Sequence, residues 1–304
     1  MIRDIINFKC GGIMNKLNDE ILCVVEEHGK KYLRKTKSND KKLLPLNQIM
    51  KLINSSRVYA PKLLKNKIKY IDLEYIKGDK IKDFDRKTLI DTLINYFVYM
   101  YNLDSTILTK YISWKTNSEY FHHLINKTLK MKRSFDHNTK IIIELLNLGK
   151  DETDKLKKLK IDDTRKLSLI NPYINYENML LKFNRIYIIN WDYATYADLA
   201  NELAMHFDDM DYSEDEKNYI LDMLSKRLNL EVYKLKNDIK AYQKHEKLNT
   251  VYQEINYIFK MIKEKKEVDE KLERFYSDYQ EIARLLKIDM LPFEEVKEIF
   301  KNIK

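Results

Sequence analysis

The spacing of apolar residues divides the chain into a strand-rich beginning and a helical remainder. Alternating apolar and polar residues in EILCVVEEHGKKYLRKT predict two strands joined by a turn at Glu27–Lys30, where Gly29 can adopt a positive φ. Leu46–Ile53 has helical spacing, and KIKYIDLEYIKGD predicts a further extended segment that ends at Gly78. We therefore expect residues 1–77 to form a small β-rich lobe.

Beyond that glycine, apolar residues recur every three or four positions, as in amphipathic helices. A stripe of this kind runs through Leu89–Tyr101, and Ser213 with Glu216 has the pattern of a capping box before another. One segment departs from the helical pattern, because NMLL and RIYIIN flank a turn at Lys182–Asn184 and predict a hairpin. Residues 78–304 are thus predicted to form a mainly helical lobe.

Composition restricts the class of protein. Of 304 residues, 44% are hydrophobic and 34% charged, which is typical of a folded chain with a solvated surface. The net charge of +9 arises from lysines interleaved with acids, as in Lys150–Lys166. A solvated face explains this pattern, a phosphate-rich partner is the alternative, and a nucleic-acid partner is not expected.

The expected compartment is the cytoplasm, with no membrane association. Two cysteines, Cys10 and Cys23, do not indicate a disulfide framework. No run of 18 apolar residues exists, and MIRDIINFKCGG lacks the apolar core of a secretion signal.

Four segments, in this order, resemble the choline kinase and aminoglycoside phosphotransferase superfamily, and bacterial choline kinases in particular. They are GGIMN at residues 11–15, LEYIKGD at 73–79, YENMLL at 176–181 and INWDYATYADLANELA at 189–204. The resemblance implies an α+β, two-lobed, protein-kinase-like fold with a small β-rich N-terminal lobe and a large, mainly helical C-terminal lobe. It also implies ATP and Mg²⁺ as cofactors and a small hydroxyl compound as phosphate acceptor.

The resemblance also suggests where a nucleotide would bind. The family's phosphate-contacting basic residue lies in the third strand, where KKYLRKT offers Lys35, with Arg34 as its neighbour. The backbone of Glu74, Tyr75 and Ile76 matches the segment that holds adenine. In kinase-like proteins a helix glutamate pairs with the lysine, but no glutamate lies between the first hairpin and Glu74. The usual ion pair is therefore not expected.

The catalytic loop, within residues 170–192, departs from the family at its central position. The family pattern His-x-Asp-x-x-x-x-Asn matches Asn171, Tyr173 and Asn178, so a tyrosine stands where the catalytic aspartate is expected. A phenol with a pKa near 10 is a poor proton acceptor at neutral pH, and a general base contributes about 10²–10⁴ in rate. The alternative interpretation of Tyr173 is a core tyrosine.

The metal site implied by the resemblance is also altered. Asn190 replaces the aspartate that binds Mg²⁺, which leaves Asn178, Asn190 and Asp192 as a degenerate ligand set. An asparagine carbonyl can bind Mg²⁺ but adds no charge, so we expect binding of ATP and Mg²⁺ to be weak or lost.

An acceptor site would involve aromatic residues of the late helices. In choline kinases aromatics and acids hold the quaternary ammonium group by cation–π contact. The matching candidates are Tyr252, Tyr257, Phe259, Tyr276 and Tyr279, for which helix packing is the alternative interpretation. The six histidines show no metal-binding pattern, and we assign them no role.

Loss of the catalytic aspartate, the metal-binding aspartate and the helix glutamate weakens one and the same reaction. The leading hypothesis is a catalytically impaired phosphotransferase homologue, a pseudokinase, that binds a ligand or serves as a scaffold for a protein partner. One alternative is an active ATP-dependent kinase for choline, an aminoglycoside or a sugar, using Asn178 and Asp192. Another is a structural protein, because KKYLRKTK and LEYIKGD also resemble spore-coat kinase-like proteins.

Overall fold

The computed structural model of the chain divides into two units, each assembled from two separate stretches. The first unit consists of the described residues up to Trp114 together with Leu167–Leu230, and the second consists of Lys115–Lys166 with Glu231–Lys304. The residues that the structure describes are 20–27, 29–37, 43–67, 70–81, 84–110 and 114–303.

An antiparallel sheet begins the first unit. Its strands lie in the order β1-β2-β4-β3, and Gly29, at φ +72°, occupies the turn between the first two. The predicted hairpin is therefore confirmed. The GGIMN segment lies outside the described residues. The strands are β1 (Glu20–Glu27), β2 (Lys30–Lys37), β3 (Leu63–Asn66) and β4 (Tyr70–Glu74).

Helix α1 (Leu43–Asn54) packs against β3 and β4. Its apolar side chains, among them Ile49, Met50 and Ile53, are buried. As the sequence indicates, this helix carries no glutamate that could pair with a lysine of the sheet.

Helix α2 (Arg86–Asn102) begins where Asp85 accepts a hydrogen bond from the Thr88 backbone N–H (2.8 Å). Such a cap satisfies a donor that the first turn leaves free. The apolar face predicted from Leu89 onward is buried. Helix α2 packs against β6 (Ser168–Ile170). It also contacts α7 (Glu214–Leu228).

The predicted second hairpin is confirmed. It consists of β7 (Met179–Lys182) and β8 (Arg185–Ile188), and β5 (Asp79–Lys80) pairs with β7 on its other side. Phe183 and Asn184 connect the strands at φ 52° and 55°. Two consecutive positive φ values are the signature of a type I′ turn, whose twist suits a tight hairpin.

Strand β9 (Thr195–Ala197) pairs with β6 and leads into α6 (Leu199–Asp209), which is almost entirely buried. Asp198 caps α6 by accepting a backbone hydrogen bond from its first turn (3.1 Å). The capping box of Ser213 and Glu216 at the start of α7 is present as predicted.

The second unit is helical. Arg165, just before the chain returns to the first unit, pairs with buried Asp238 of α8 (2.5 Å between Nη2 and Oδ2). The helices are α3 (Asn117–Arg133), α4 (His137–Leu145), α5 (Lys150–Lys157), α8 (Val232–Lys263), α9 (Asp269–Leu286) and α10 (Phe293–Lys301).

A small antiparallel region followed by a larger helical part confirms the predicted α+β class. The predicted boundary between residues 77 and 78 falls inside the first unit, so the division into those two ranges stays a prediction. Within the described residues, every helix is too short or too polar to traverse a lipid bilayer.

We expect Gly78→Ala to lower the free energy of unfolding by about 1–3 kcal/mol, the usual cost of overpacking. A Cβ at Gly78 would lie 2.7 Å from the backbone oxygen of Leu181 in β7, so the β5–β7 pairing would have to shift. Denaturant titration measures the effect. Gly149→Ala is the matched control, because a Cβ there meets no atom within 4 Å and should cost less than about 1 kcal/mol. Equal costs for the two variants would contradict the steric argument.

Candidate functional site

An ion pair between Lys35 and Asp192 joins two of the predicted site residues, which are 157 positions apart. Lys35 lies on β2, and Asp192 follows β8. Their side chains are only 11% and 14% exposed, so both charges are largely removed from water. The other carboxylate oxygen of Asp192, Oδ1, is buried and has no hydrogen-bond partner in the described part of the chain. A buried oxygen without a partner is costly and is available to a ligand.

Arg34, the alternative to Lys35, is engaged elsewhere. Its Nε and Nη2 donate to the two oxygens of Asp72 on β4 (2.7 and 3.0 Å), and this contact raises the pKa of the guanidinium. The guanidinium also lies over the ring of Tyr70, 4.2 Å from its centre. Because successive residues of a strand point to opposite faces, the structure brings Lys35, and not Arg34, to Asp192.

The predicted catalytic loop is held by its own asparagines. Asn171 donates from Nδ2 to the carbonyl of Asn190 (2.7 Å), and its Oδ1 accepts from the Tyr173 backbone N–H (3.3 Å). Asn178 donates from Nδ2 to the Tyr173 carbonyl (3.0 Å), and the carbonyl of Asn178 accepts from the Ile189 N–H (3.0 Å). These bonds bring the Tyr173 position and the Asn178 and Asn190 positions into one small region.

Tyr173 is the residue predicted to replace the family's catalytic aspartate. Its ring packs against Tyr193, with 4.6 Å between ring centres and 59° between planes. Tyr173 is only half-buried, and Tyr193 is 45% exposed, so Tyr173 is not fully enclosed in the core. The loop therefore carries a partly exposed aromatic pair where the resemblance predicts a carboxylate.

Glu202 of α6 supports the loop from the protein interior. Its Oε1 accepts hydrogen bonds from the Asn171 backbone N–H (2.8 Å) and the Tyr96 hydroxyl (3.2 Å). Burial raises the pKa of Glu202 to about 8, and the two hydrogen bonds only partly oppose that increase. At neutral pH the carboxyl is therefore mostly protonated.

His206 lies one turn further along α6 and fixes the same loop. Because the Ile174 carbonyl can only accept, His206 Nδ1 donates to it (2.7 Å), and Nε2 accepts from the Tyr212 hydroxyl (3.0 Å). Burial lowers the pKa of His206 to about 4, so the ring is neutral. Sequence reasoning missed this residue. The available signal was the four-residue spacing from Glu202, which places both polar groups on one face of an apolar helix.

The segment predicted to hold adenine is the end of β4 and the residues after it. The Glu74 N–H donates to the Lys62 carbonyl (2.8 Å), and its carboxylate lies 3.6 Å from Lys182 Nζ. Tyr75 is exposed and Ile76 is buried. Adenine binding here stays a prediction.

The predicted acceptor aromatics lie in the second unit and do not form a cage. Tyr252 is fully buried, and its hydroxyl donates to the Leu148 carbonyl (3.0 Å). Phe259 is also buried, whereas Tyr257 is 51% exposed. The packing interpretation accounts for Tyr252 and Phe259, because side chains sealed in a core cannot surround a ligand.

The predicted metal ligands fit Mg²⁺ in part. The described residues contain no cluster of three or more His, Cys, Asp or Glu side chains suited to a metal ion. Mg²⁺, however, commonly uses one or two carboxylates together with substrate phosphates and waters. Asp192 supplies one carboxylate with a free oxygen, and Asn178 and Asn190 lie on the adjoining segments.

The fold of this chain also occurs in solved structures of other proteins. No protein-family model and no curated protein sequence matches the chain. Solved structures do match it. The ethanolamine kinase of Plasmodium vivax has a TM-score of 0.59 at 13% identity, covering 91% of this chain and 81% of that one.

Two antibiotic phosphotransferases match to a similar degree. A thermostable mutant of an aminoglycoside phosphotransferase has a TM-score of 0.61 at 12% identity, covering 88% of this chain and 91% of that one. A spectinomycin phosphotransferase in complex with ADP and spectinomycin has a TM-score of 0.56 at 14% identity, covering 98% and 93%. The chain therefore has the same kinase-like fold as these phosphotransferases.

Proposed function

We propose that this chain, with its kinase-like phosphotransferase fold, binds a nucleotide but transfers phosphate poorly. The observation that carries the proposal is the Lys35–Asp192 pair with the unpartnered Asp192 Oδ1. Lys35 supplies a positive charge for nucleotide phosphates, and Asp192 supplies an anionic oxygen for a metal ion that accompanies them. The related spectinomycin phosphotransferase was crystallised with ADP, which supports a nucleotide as the ligand.

Asp192, Asn178 and Asn190 are the residues that would hold Mg²⁺. When bound, the ion neutralises negative charge on the phosphates. With one carboxylate in this set, Lys35 supplies a larger share of the attraction than it does where two aspartates are present. We therefore infer weak, lysine-dependent nucleotide binding.

Impaired transfer is expected from the residue at the position predicted for the catalytic aspartate. Tyr173 provides a phenol and an aromatic surface where a carboxylate would accept a proton from the substrate hydroxyl. The loss of a general base typically costs about 10²–10⁴ in rate. A slow but active kinase for a small hydroxyl compound is the second candidate, favoured by the retained Lys35 and Asp192.

Thermal melting in the presence of ATP and Mg²⁺ tests nucleotide binding. At a ligand concentration of 100 times Kd, the native state gains about 2.7 kcal/mol, which raises the midpoint of a protein of this size by roughly 5 °C. We expect Lys35→Ala and Asp192→Ala to abolish the shift. Lys31→Ala is the matched control, because Lys31 lies on the same strand with an exposed side chain, and it should keep the full shift.

Two outcomes would contradict the proposal in different ways. No shift with ATP, with or without Mg²⁺, would exclude nucleotide binding and leave a scaffold role. A shift accompanied by rapid ADP release with choline, ethanolamine or spectinomycin would replace impaired transfer with the active-kinase alternative.

A further inference from the structure

A cavity of about 250 Å³ lies in the first unit, behind the hairpin β7–β8. Its walls are mostly apolar and aromatic, and they come from α2, from β8 and from the segment after α1. The residues that matter here are Arg57, Tyr59, Thr92, Tyr96, Tyr99 and Ile188. None of them belongs to the predicted phosphate, metal or acceptor positions.

The cavity is partly open to solvent, and hydrogen bonds fix parts of its walls. The Tyr99 hydroxyl accepts from the Arg57 backbone N–H (3.2 Å), and the Tyr59 carbonyl accepts from the Ile188 N–H (3.0 Å). Asn54 fixes the far end of the segment, since its Nδ2 donates to the Pro61 carbonyl (3.0 Å). Cavities with apolar walls and a few polar groups are typical of small-molecule sites.

The charge of Arg57, an exposed residue at this cavity, has no counter-ion among the residues that the structure describes. The guanidinium of Arg57 forms no hydrogen bond or ion pair with any residue that the structure describes, and the residues lining the cavity include no carboxylate. An arginine beside an aromatic cavity suits a ligand that carries a planar anionic group, because the guanidinium can bind a carboxylate through two parallel hydrogen bonds.

We propose that this cavity binds a small molecule with a flat apolar body and one acidic group. A dry cavity of about 150 Å³ can hold benzene, so the larger volume suits two fused rings.

Two residues that line this cavity also lie next to elements of the predicted catalytic region. Tyr96 donates to Glu202, which accepts from Asn171 at the start of the catalytic loop, and Ile188 lies two residues before Asn190. An occupant would therefore stabilise the elements that carry the loop and the metal positions.

Isothermal titration calorimetry with 2-naphthoate, in the absence of nucleotide, tests the proposal. A ligand of this size is expected to bind with a Kd of about 0.1–1 mM. Arg57→Gln should weaken binding by roughly fivefold to tenfold. Lys51→Gln, which removes an exposed positive charge from α1 outside the cavity, should leave the Kd unchanged.

A second variant tests the location. Thr92 is a half-buried residue of α2 that lines the cavity, and Thr92→Trp should fill the space and abolish binding while the thermal midpoint confirms folding. The proposal is overturned if the wild type does not bind at 1 mM ligand. It is also overturned if folded Thr92→Trp binds as well as the wild type, or if Arg57→Gln and Lys51→Gln weaken binding equally. Because nucleotide is absent, these results do not depend on the proposed function.

Discussion

Replacing Tyr173 with aspartate is expected to raise the rate of phosphate transfer from ATP by about 10²–10⁴, the usual contribution of a positioned general base. The variant places a carboxylate in a loop whose backbone Asn171 and Asn178 already hold. Transfer is measured as ADP release with choline, ethanolamine and spectinomycin as acceptors. Adding Asn190→Asp should increase the rate further by restoring a second carboxylate for Mg²⁺.

Tyr193→Asp is the control for this experiment. It removes the aromatic partner of Tyr173 and adds a carboxylate at an exposed neighbouring position, without filling the place of the family's aspartate. Its rate should remain that of the wild type. If Tyr173→Asp binds ATP yet transfers no faster than the control, the absence of a base at position 173 is not what limits the reaction.

Glu202→Gln is expected to become more stable than the wild type as the pH rises. The pKa of Glu202 is about 8 in the folded protein, above its ordinary value of 4.5, because the carboxyl is buried. Stability from the protonated form is therefore complete below pH 4.5 and is lost as the pH rises towards and through 8. Glutamine keeps an acceptor for Asn171 and Tyr96 without ionising.

The quantity to measure is the difference in unfolding free energy between Glu202→Gln and the wild type at several pH values. Between pH 5 and pH 8 this difference should grow in favour of the variant by on the order of 3 kcal/mol. Because the pKa of His206 is lowered in the folded protein, His206 makes the fold less stable as the pH falls. This contribution is the same in the variant and the wild type, so it cancels in the difference. A flat profile for Glu202→Gln would show that residue 202 ionises freely.

Local elements of the fold could be predicted from the sequence because their determinants are neighbours in the chain. Gly29 permits the first turn, alternation defines the strands on both sides of it, and Ser213 with Glu216 starts α7. Family resemblance then indicated how such elements assemble, and the solved structures confirm that fold.

Contacts between distant residues could not be predicted in this way. Nothing in the sequence of β2 indicates that Lys35 pairs with Asp192, and apolar periodicity alone does not distinguish buried Tyr252 from exposed Tyr257. The buried hydrogen bonds of Glu202 and His206 depend on the loop that packs against α6, so their roles appear only in three dimensions.

Each unit is built from two separate stretches of the chain, which has a consequence for synthesis on the ribosome. The chain leaves the first unit at Trp114, returns at Leu167 and leaves again after Leu230. A nascent chain that ends before residue 167 lacks β6 to β9 and α6, and its α3 to α5 still await α8. Neither unit can thus reach its native state early in translation, and the apolar faces of those helices stay without their partners until α8 has been made.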